Sequence, residues 1–201
     1  MKLGKAFAIG GAFVVAALIF FLGRLFRPTE DWARQYINSS DDPKTFRNSF
    51  HGLQISAPAG SDWQLVWEPA KMRPTPGGVN KVLEINRLIQ QGESDKDWAR
   101  MDVFVEPLAG GIPVNTWLRK IEFREMRAGF KVISDEEAVV GGLVGRARVA
   151  GWAVERLKFR TVNSYIEHNG KLFAFIGVTG SGVSDRYRPT FEQIVAGVRL
   201  D

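Results

Sequence analysis

Between Gly145 and Thr161 five cations recur at alternating positions: Arg146 and Arg148, then Arg156, Lys158 and Arg160. Successive side chains of an extended chain point to opposite faces. Each set therefore shares one face of its strand, while Ala147, Val149, Leu157 and Phe159 point the other way. If two such strands pair, the five cations line one patch, a candidate docking site for an acidic partner or lipid headgroups. Like charges placed side by side repel. The simpler reading is a solvated sheet face balanced by Glu84, Asp102, Glu106 and Glu155.

Groups able to do bond-making chemistry are sparse. The chain has no cysteine and two histidines, His51 and His168. Neither histidine sits in a spacing that gathers the roughly four ligands of a zinc site. His168 lies beside Asn169-Gly170, a turn signal, where a histidine is solvated. No serine stands in a nucleophile-elbow motif. Gly177-Val178-Thr179-Gly180-Ser181-Gly182 has the glycine content of a phosphate-cradling loop, but its spacing matches neither the Walker nor the dinucleotide pattern. No lysine follows it, and Asp185 would repel an anion. The glycines there, and in Gly141-Gly142-Leu143-Val144-Gly145, are read as serving backbone geometry. The sequence predicts no catalytic residue, no cofactor and no metal, and so favours binding over catalysis.

The elements that would position these residues begin with an anchor. Ala6 to Gly23 runs for eighteen residues without a charge, between Lys2/Lys5 and Arg24/Arg27. As a helix it spans about 27 Å, close to a hydrocarbon core of about 30 Å. Signal peptidase needs small residues at the first and third positions before its cut, and around Gly23 Phe21 fills one of them. A tethered protein is expected, with cleavage at a poor site as the alternative. A lipoprotein signal is excluded, because there is no cysteine to acylate. Flanking charges nearly balance, but a short positive tail faces inward and large following domains cross regardless of charge. The body is therefore placed outside the cytoplasm. Gly4, Ala8, Ala12 and Ala16 recur every four residues, a ridge that would let another helix approach closely.

Charge location also removes nucleic acid as a partner. The net charge of +5 owes four of its charges to Lys2, Lys5, Arg24 and Arg27, which leaves 23 basic against 22 acidic residues beyond Pro28. The body is close to neutral. Residues 28–49 read as a short juxtamembrane helix and linker, with Trp32 and Tyr36 four apart on one face. Together with Arg24 and Arg27, these rings suit the membrane interface; the equal alternative is that both rings pack on the domain.

Residues 50–201 supply one domain. Leu53–Ala57 and Trp63–Trp67 alternate and are stopped by prolines, which predicts a hairpin. Val82–Ile89 and Arg100–Glu106 predict an antiparallel pair across a charged turn. Val114, Trp117, Leu118 and Ile121 predict an amphipathic helix ending near Gly129. Strands follow at Phe130–Ile133, Val139–Val140, Leu143–Ala150, Val154–Tyr165 and Leu172–Val178, the last two joined at Asn169-Gly170. A helix from Ser184 or Asp185 closes the chain, burying Tyr187, Phe191, Ile194 and Val195. Trp63, Trp67, Trp117 and Trp152 are expected in the core. This order predicts an α+β domain with one antiparallel sheet and helices packed on it.

Phe50-His51-Gly52-Leu53-Gln54-Ile55-Ser56-Ala57-Pro58 before Trp63 carries a likeness to a known family. So do the helix from Val114 and the run Tyr165-Ile166-Glu167-His168-Asn169-Gly170-Lys171-Leu172-Phe173, followed by Tyr187, Phe191, Ile194 and Arg199-Leu200. Over roughly Phe50 to Leu200 the chain resembles the PsbP/DcrB-like family. The resemblance implies a PsbP-like α/β/α sandwich and a non-enzymatic, extracytoplasmic accessory role. Joined to the anchor at residues 1–27, it leads to a single-pass protein of the bacterial inner membrane with its C-terminal domain in the periplasm. Its expected partners are the lipid bilayer and an integral membrane protein complex that it stabilises, photosynthetic or transport-related. The alternative is a periplasmic module for a small apolar or lipidic ligand.

Overall fold

The computed structural model describes residues 33–60, 62–71, 81–90, 92–93, 97–108, 116, 118–119, 129–154 and 157–201. Gln35–Asp201 forms one compact unit. No helix among the described residues is long and apolar enough to cross a membrane, and Ala6–Gly23 lies outside them.

Two antiparallel sheets build the unit. The larger contains β3 (Trp63–Val66), β4 (Lys81–Arg87), β5 (Ala99–Pro107), β6 (Lys131–Val140), β7 (Leu143–Val154), β8 (Leu157–His168) and β9 (Lys171–Gly180), ordered β3-β4-β5-β9-β8-β7-β6. The smaller contains β1 (Thr45–Asn48), β2 (Leu53–Ser56) and β10 (Arg199–Leu200), with β2 in the middle. The α+β expectation holds, with a second small sheet added to the single one predicted.

The expected hairpin between Leu53–Ala57 and Trp63–Trp67 is not formed. Both backbone edges of β2 are taken, by β1 and by the C-terminal β10, so β3 pairs with β4 instead, Trp63 opposite Arg87. Alternation fixed the buried side chains of both strands, Leu53, Ile55, Trp63 and Leu65, and left their partners open. Residues 45–48, expected in a linker, are β1. Ser39 donates its backbone N–H to the Arg47 carbonyl at 2.9 Å, and the Asn48 side-chain amide donates to the Gln35 and Ile37 carbonyls at 3.2 and 2.9 Å.

The β4–β5 pair forms as predicted. Phe130–Ile133 and Val139–Val140, expected as separate strands, are one strand, β6, because Asp135, Glu136 and Glu137 pair with β7 along the sheet margin. The β8–β9 hairpin turns at Asn169-Gly170, where φ is +49° and +69°. Asn and Gly tolerate that left-handed backbone, which matches the twist of the flanking strands.

The main core lies between the larger sheet and the helix α1 (Ser184–Ala196). Tyr187, Phe191, Ile194 and Val195 of α1 are buried against Ile85, Met101, Val103, Phe173 and Phe175. These residues recur at the three- and four-residue spacing that puts them on one helical face. Gly177 makes room for the helix. A Cβ there would lie 2.5–2.8 Å from three carbons of the Phe191 ring. Trp63 is in this core and Trp67 packs against it. On the opposite sheet face Leu118 is buried with Tyr165, Leu172 and Ala174. Of the helix expected from Val114, Thr116, Leu118 and Arg119 are helical. Val114, Trp117, Ile121 and the side chain of Trp152 lie outside the described residues.

Candidate functional site

Register decides the fate of the predicted cation patch. β7 and β8 pair with Arg146 opposite Tyr165, Arg148 opposite Asn163, Gly151 opposite Arg160 and Ala153 opposite Lys158. Directly opposed residues share a face, and the face alternates with each step along the strand. Arg146 and Arg148 therefore lie on the Tyr165 face, and Lys158 and Arg160 on the other. A single five-cation patch does not form. Arg156 lies outside the described residues. Each strand's alternation was legible, but the pairing register differs by one residue from the register that would merge the two sets.

Arg146 and Arg148 instead converge on a carboxylate of β6. Asp135 accepts from Arg148 Nη2 at 2.8 Å and from Arg146 Nε at 3.1 Å. Burial works to raise the Asp135 pKa, but the two guanidiniums outweigh it and hold the carboxyl below its usual range. Arg148 is only 2% exposed. It is an internal structural cation, with none of the reach a docking site needs. Asp135 balances these two arginines, and the predicted Glu84 and Asp102 pair with Lys81; Glu155 lies outside the described residues.

The same sheet face carries a row across β4, β5, β9, β8, β7 and β6 that is polar except for Ile176: Glu84, Asp102, Ile176, Asn163, Arg148, Asp135. At its β4 end Lys81 Nζ meets Glu84 Oε2 at 2.6 Å and Asp102 Oδ1 at 3.4 Å, and Arg100 Nε lies 3.1 Å from Asp102. Lys81, Glu84 and Asp102 are all buried. Burial raises the Asp102 pKa despite the two cations. Charges taken this far from water persist only when paired, and two acids with two cations achieve that locally.

A second network pins α1 to the end of the sheet away from the Asn169-Gly170 turn. Arg87 and Arg186 both lie over the Tyr187 ring, their Cζ atoms 5.5 and 5.3 Å from its centroid. The Tyr187 hydroxyl donates to Asp97 at 2.7 Å. Burial and that hydrogen bond raise the phenol to about 12. Arg87 also bonds Glu93 and the Asp97 carbonyl. These cations serve the helix dock.

Four chain segments meet at the other end of the unit. The Asn48 amide ties down residues 35–37, where the chain enters. Lys171 Nζ donates to the Phe50 carbonyl at 2.8 Å and lies 5.8 Å from the Phe50 ring centroid. Asn169 donates to the Asp201 carbonyl, and Asp201 donates to the Gly52 carbonyl. Gly141, at the β6–β7 turn, lies against the Val198 carbonyl. His51 is buried at this junction, and desolvation, with the nearby Lys171 charge, lowers its pKa to about 4. His168 is hydrogen-bonded to Asn169 in the turn, where the sequence placed it.

Of the predicted membrane-interface residues, Tyr36 is half-buried, and burial raises its pKa. Arg24, Arg27 and Trp32 lie outside the described residues, as does the predicted ridge Gly4, Ala8, Ala12 and Ala16. Two residues that organise the structure had no place in the sequence reading. Asp135 was hidden in an acidic run that resembles ordinary surface, and Asn48 in a stretch read as linker.

No known family profile matches the chain, and no curated protein matches it. Solved structures do. Cyanobacterial PsbP (CyanoP) from Synechocystis sp. PCC 6803 is similar over 82% of this chain and 97% of its own, with a TM-score of 0.57 and 12% identity. The chain has a PsbP-like fold. LpqN of Mycobacterium tuberculosis, described as involved in cell envelope biogenesis, gives a TM-score of 0.56 at 12% identity, over 82% of this chain and 88% of its own. PA94 of Pseudomonas aeruginosa, a protein of unknown function, gives 0.50 at 12%, over 76% and 93%. At such identities the likeness is one of fold.

Proposed function

We propose that this protein is a membrane-anchored accessory subunit of the bacterial envelope. Ala6–Gly23 holds it in the inner membrane, and the PsbP-like unit on the periplasmic side binds and stabilises a larger membrane assembly. The observation that carries this reading is the junction between sequence and fold. The compact unit starts at Gln35, with eleven residues between it and an uncharged stretch long enough to cross a bilayer. The fold likeness to CyanoP, and to an LpqN involved in cell envelope biogenesis, supports an envelope role.

A binding role also fits how the chain spends its reactive groups. Asp135, Arg148, Lys81, Glu84 and Asp102 satisfy one another inside the domain. His51 is held neutral in a structural junction. These groups stabilise the scaffold and leave its outer surfaces to make contacts. Solubilising native membranes with a mild detergent and purifying the tagged full chain should bring down a membrane protein in fixed stoichiometry. A clean monomer after cross-linking before solubilisation would refute the subunit reading.

A further inference from the structure

Eight large apolar side chains stand out into solvent among the described residues, and they divide between the two ends of the sheet. Ile37 (55% exposed), Phe50 (37%), Val139 (69%) and Val144 (69%) lie at the end where the chain enters. Leu88, Ile89, Val132 and Ile133 lie at the opposite end, beyond Arg87 and beside Ala150. Contacts already described fix this division. Asn48 ties Gln35 and Ile37 beside the Phe50 turn, Lys171 ties that turn to β9, and Val198 packs on Gly141 between Val139 and Val144.

We propose that the end bearing Ile37, Phe50, Val139 and Val144 rests on the bilayer's interfacial layer, so that the domain is docked on the membrane as well as tethered to it. This inference rests on the anchored reading above. Its first support is the tether. Residues 24–34 link the apolar segment to Gln35, and eleven residues reach at most about 40 Å when fully extended. The twelve-residue β7 and β8 are themselves about 40 Å long at 3.3 Å per residue. Bringing the far end down would require the tether to run the whole length of the sheet, whereas the near end reaches the surface with slack.

The tether also keeps the contact intramolecular, so a few small apolar side chains suffice where they could not recruit a free protein. Charge at this end identifies the lipid. Among the described residues Arg47, Lys171 and Arg199 are offset there by Glu106, Glu167 and Asp201, so the surface suits zwitterionic headgroups. Val139 and Val144 face each other across the β6–β7 hairpin two residues from its Gly141-Gly142 turn. They form an apolar pair on a tip that can enter the headgroup layer without exposing strand edges.

The absence of cysteine makes the test direct. Ile37→Cys and Val144→Cys, with Leu88→Cys and Ile133→Cys as far-end controls, are labelled with an environment-sensitive fluorophore in the full chain. The labelled proteins are then incorporated into phosphatidylcholine nanodiscs, which leave both bilayer faces open to quencher. Relative to the same proteins in detergent, labels at positions 37 and 144 should shift to the blue and lose about threefold in quenching by aqueous iodide, because interfacial residues sit several ångströms below the water boundary. Labels at 88 and 133 should not change. Equal quenching at all four sites in a protein that stays with the discs overturns the docking and leaves the anchor intact. A protein that does not enter discs overturns both. Far-end labels becoming the shielded ones would show the opposite orientation and likewise overturn the inference.

Discussion

Replacing Asp135 by alanine removes the carboxylate that lies 2.8 Å from Arg148, a guanidinium 2% exposed, and leaves the like charge of Arg146 on the same face. Removing one partner of a fully buried ion pair costs about 3–5 kcal/mol. The Asp135 side chain is 19% exposed, so water screens part of the interaction, and the expected cost is about 2–3 kcal/mol. For a folded unit of this size that lowers Tm by about 4–12 °C. Arg148→Met removes the charge along with its need for a partner. The double variant Asp135→Ala/Arg148→Met should therefore recover most of the loss, a coupling energy visible in a double-mutant cycle from urea melts followed by circular dichroism. The gap between parent and Asp135→Ala should also depend on pH. Asp135 titrates below its usual 3.8 when folded, so its contribution is complete above about pH 5 and fades as pH falls through the lower folded value. An Asp135→Ala chain within about 0.5 kcal/mol of the parent, or costs that simply add, would refute the reasoning, since surface pairs behave that way.

Three further outcomes follow from the same geometry. The unfolded chain protonates His51 near pH 6.5 and the folded one only near 4, so stability is full above about 6.5 and falls as pH drops towards 4. His51→Gln should flatten that part of the thermal-melt profile relative to the parent. Gly177→Ala drives a methyl into the Phe191 ring and should cost about 1–3 kcal/mol, with Phe191→Leu relieving part of the clash in the double variant; denaturant melts measure both. Asn48→Ala releases the Gln35 and Ile37 carbonyls, and hydrogen exchange should quicken at residues 37–39 and 47 while the β8–β9 hairpin keeps its protection.

Much of this architecture was legible in the sequence because it is written in periodicity. Tyr187, Phe191, Ile194 and Val195 announce the buried face of α1 through helical spacing, and Asn169-Gly170 announces its hairpin through backbone conformation. Pairing is a property of two strands at once, and here the sequence falls silent. Nothing in Leu53–Ser56 says that the last residues of the chain will occupy one of its edges. Nothing in the alternating cations of β7 and β8 says that the register will send Arg148 to one face and Arg160 to the other. Buried charge was hidden for a related reason. Lys81, Glu84, Asp102 and Arg148 look like surface residues one by one, and they stay buried only because long-range pairing brings them together and sets the partly exposed Asp135 against Arg148.

The central claim is that a folded periplasmic unit hangs from an uncleaved membrane anchor. Protease protection in intact and broken spheroplasts, read with an alkaline wash of the membranes, tests it most directly. The account predicts a full-length chain that stays with the membrane through the wash, whose C-terminal unit is digested by protease added outside intact spheroplasts. Release of the chain by the wash, or a C-terminal unit protected until the spheroplasts are broken, would contradict it.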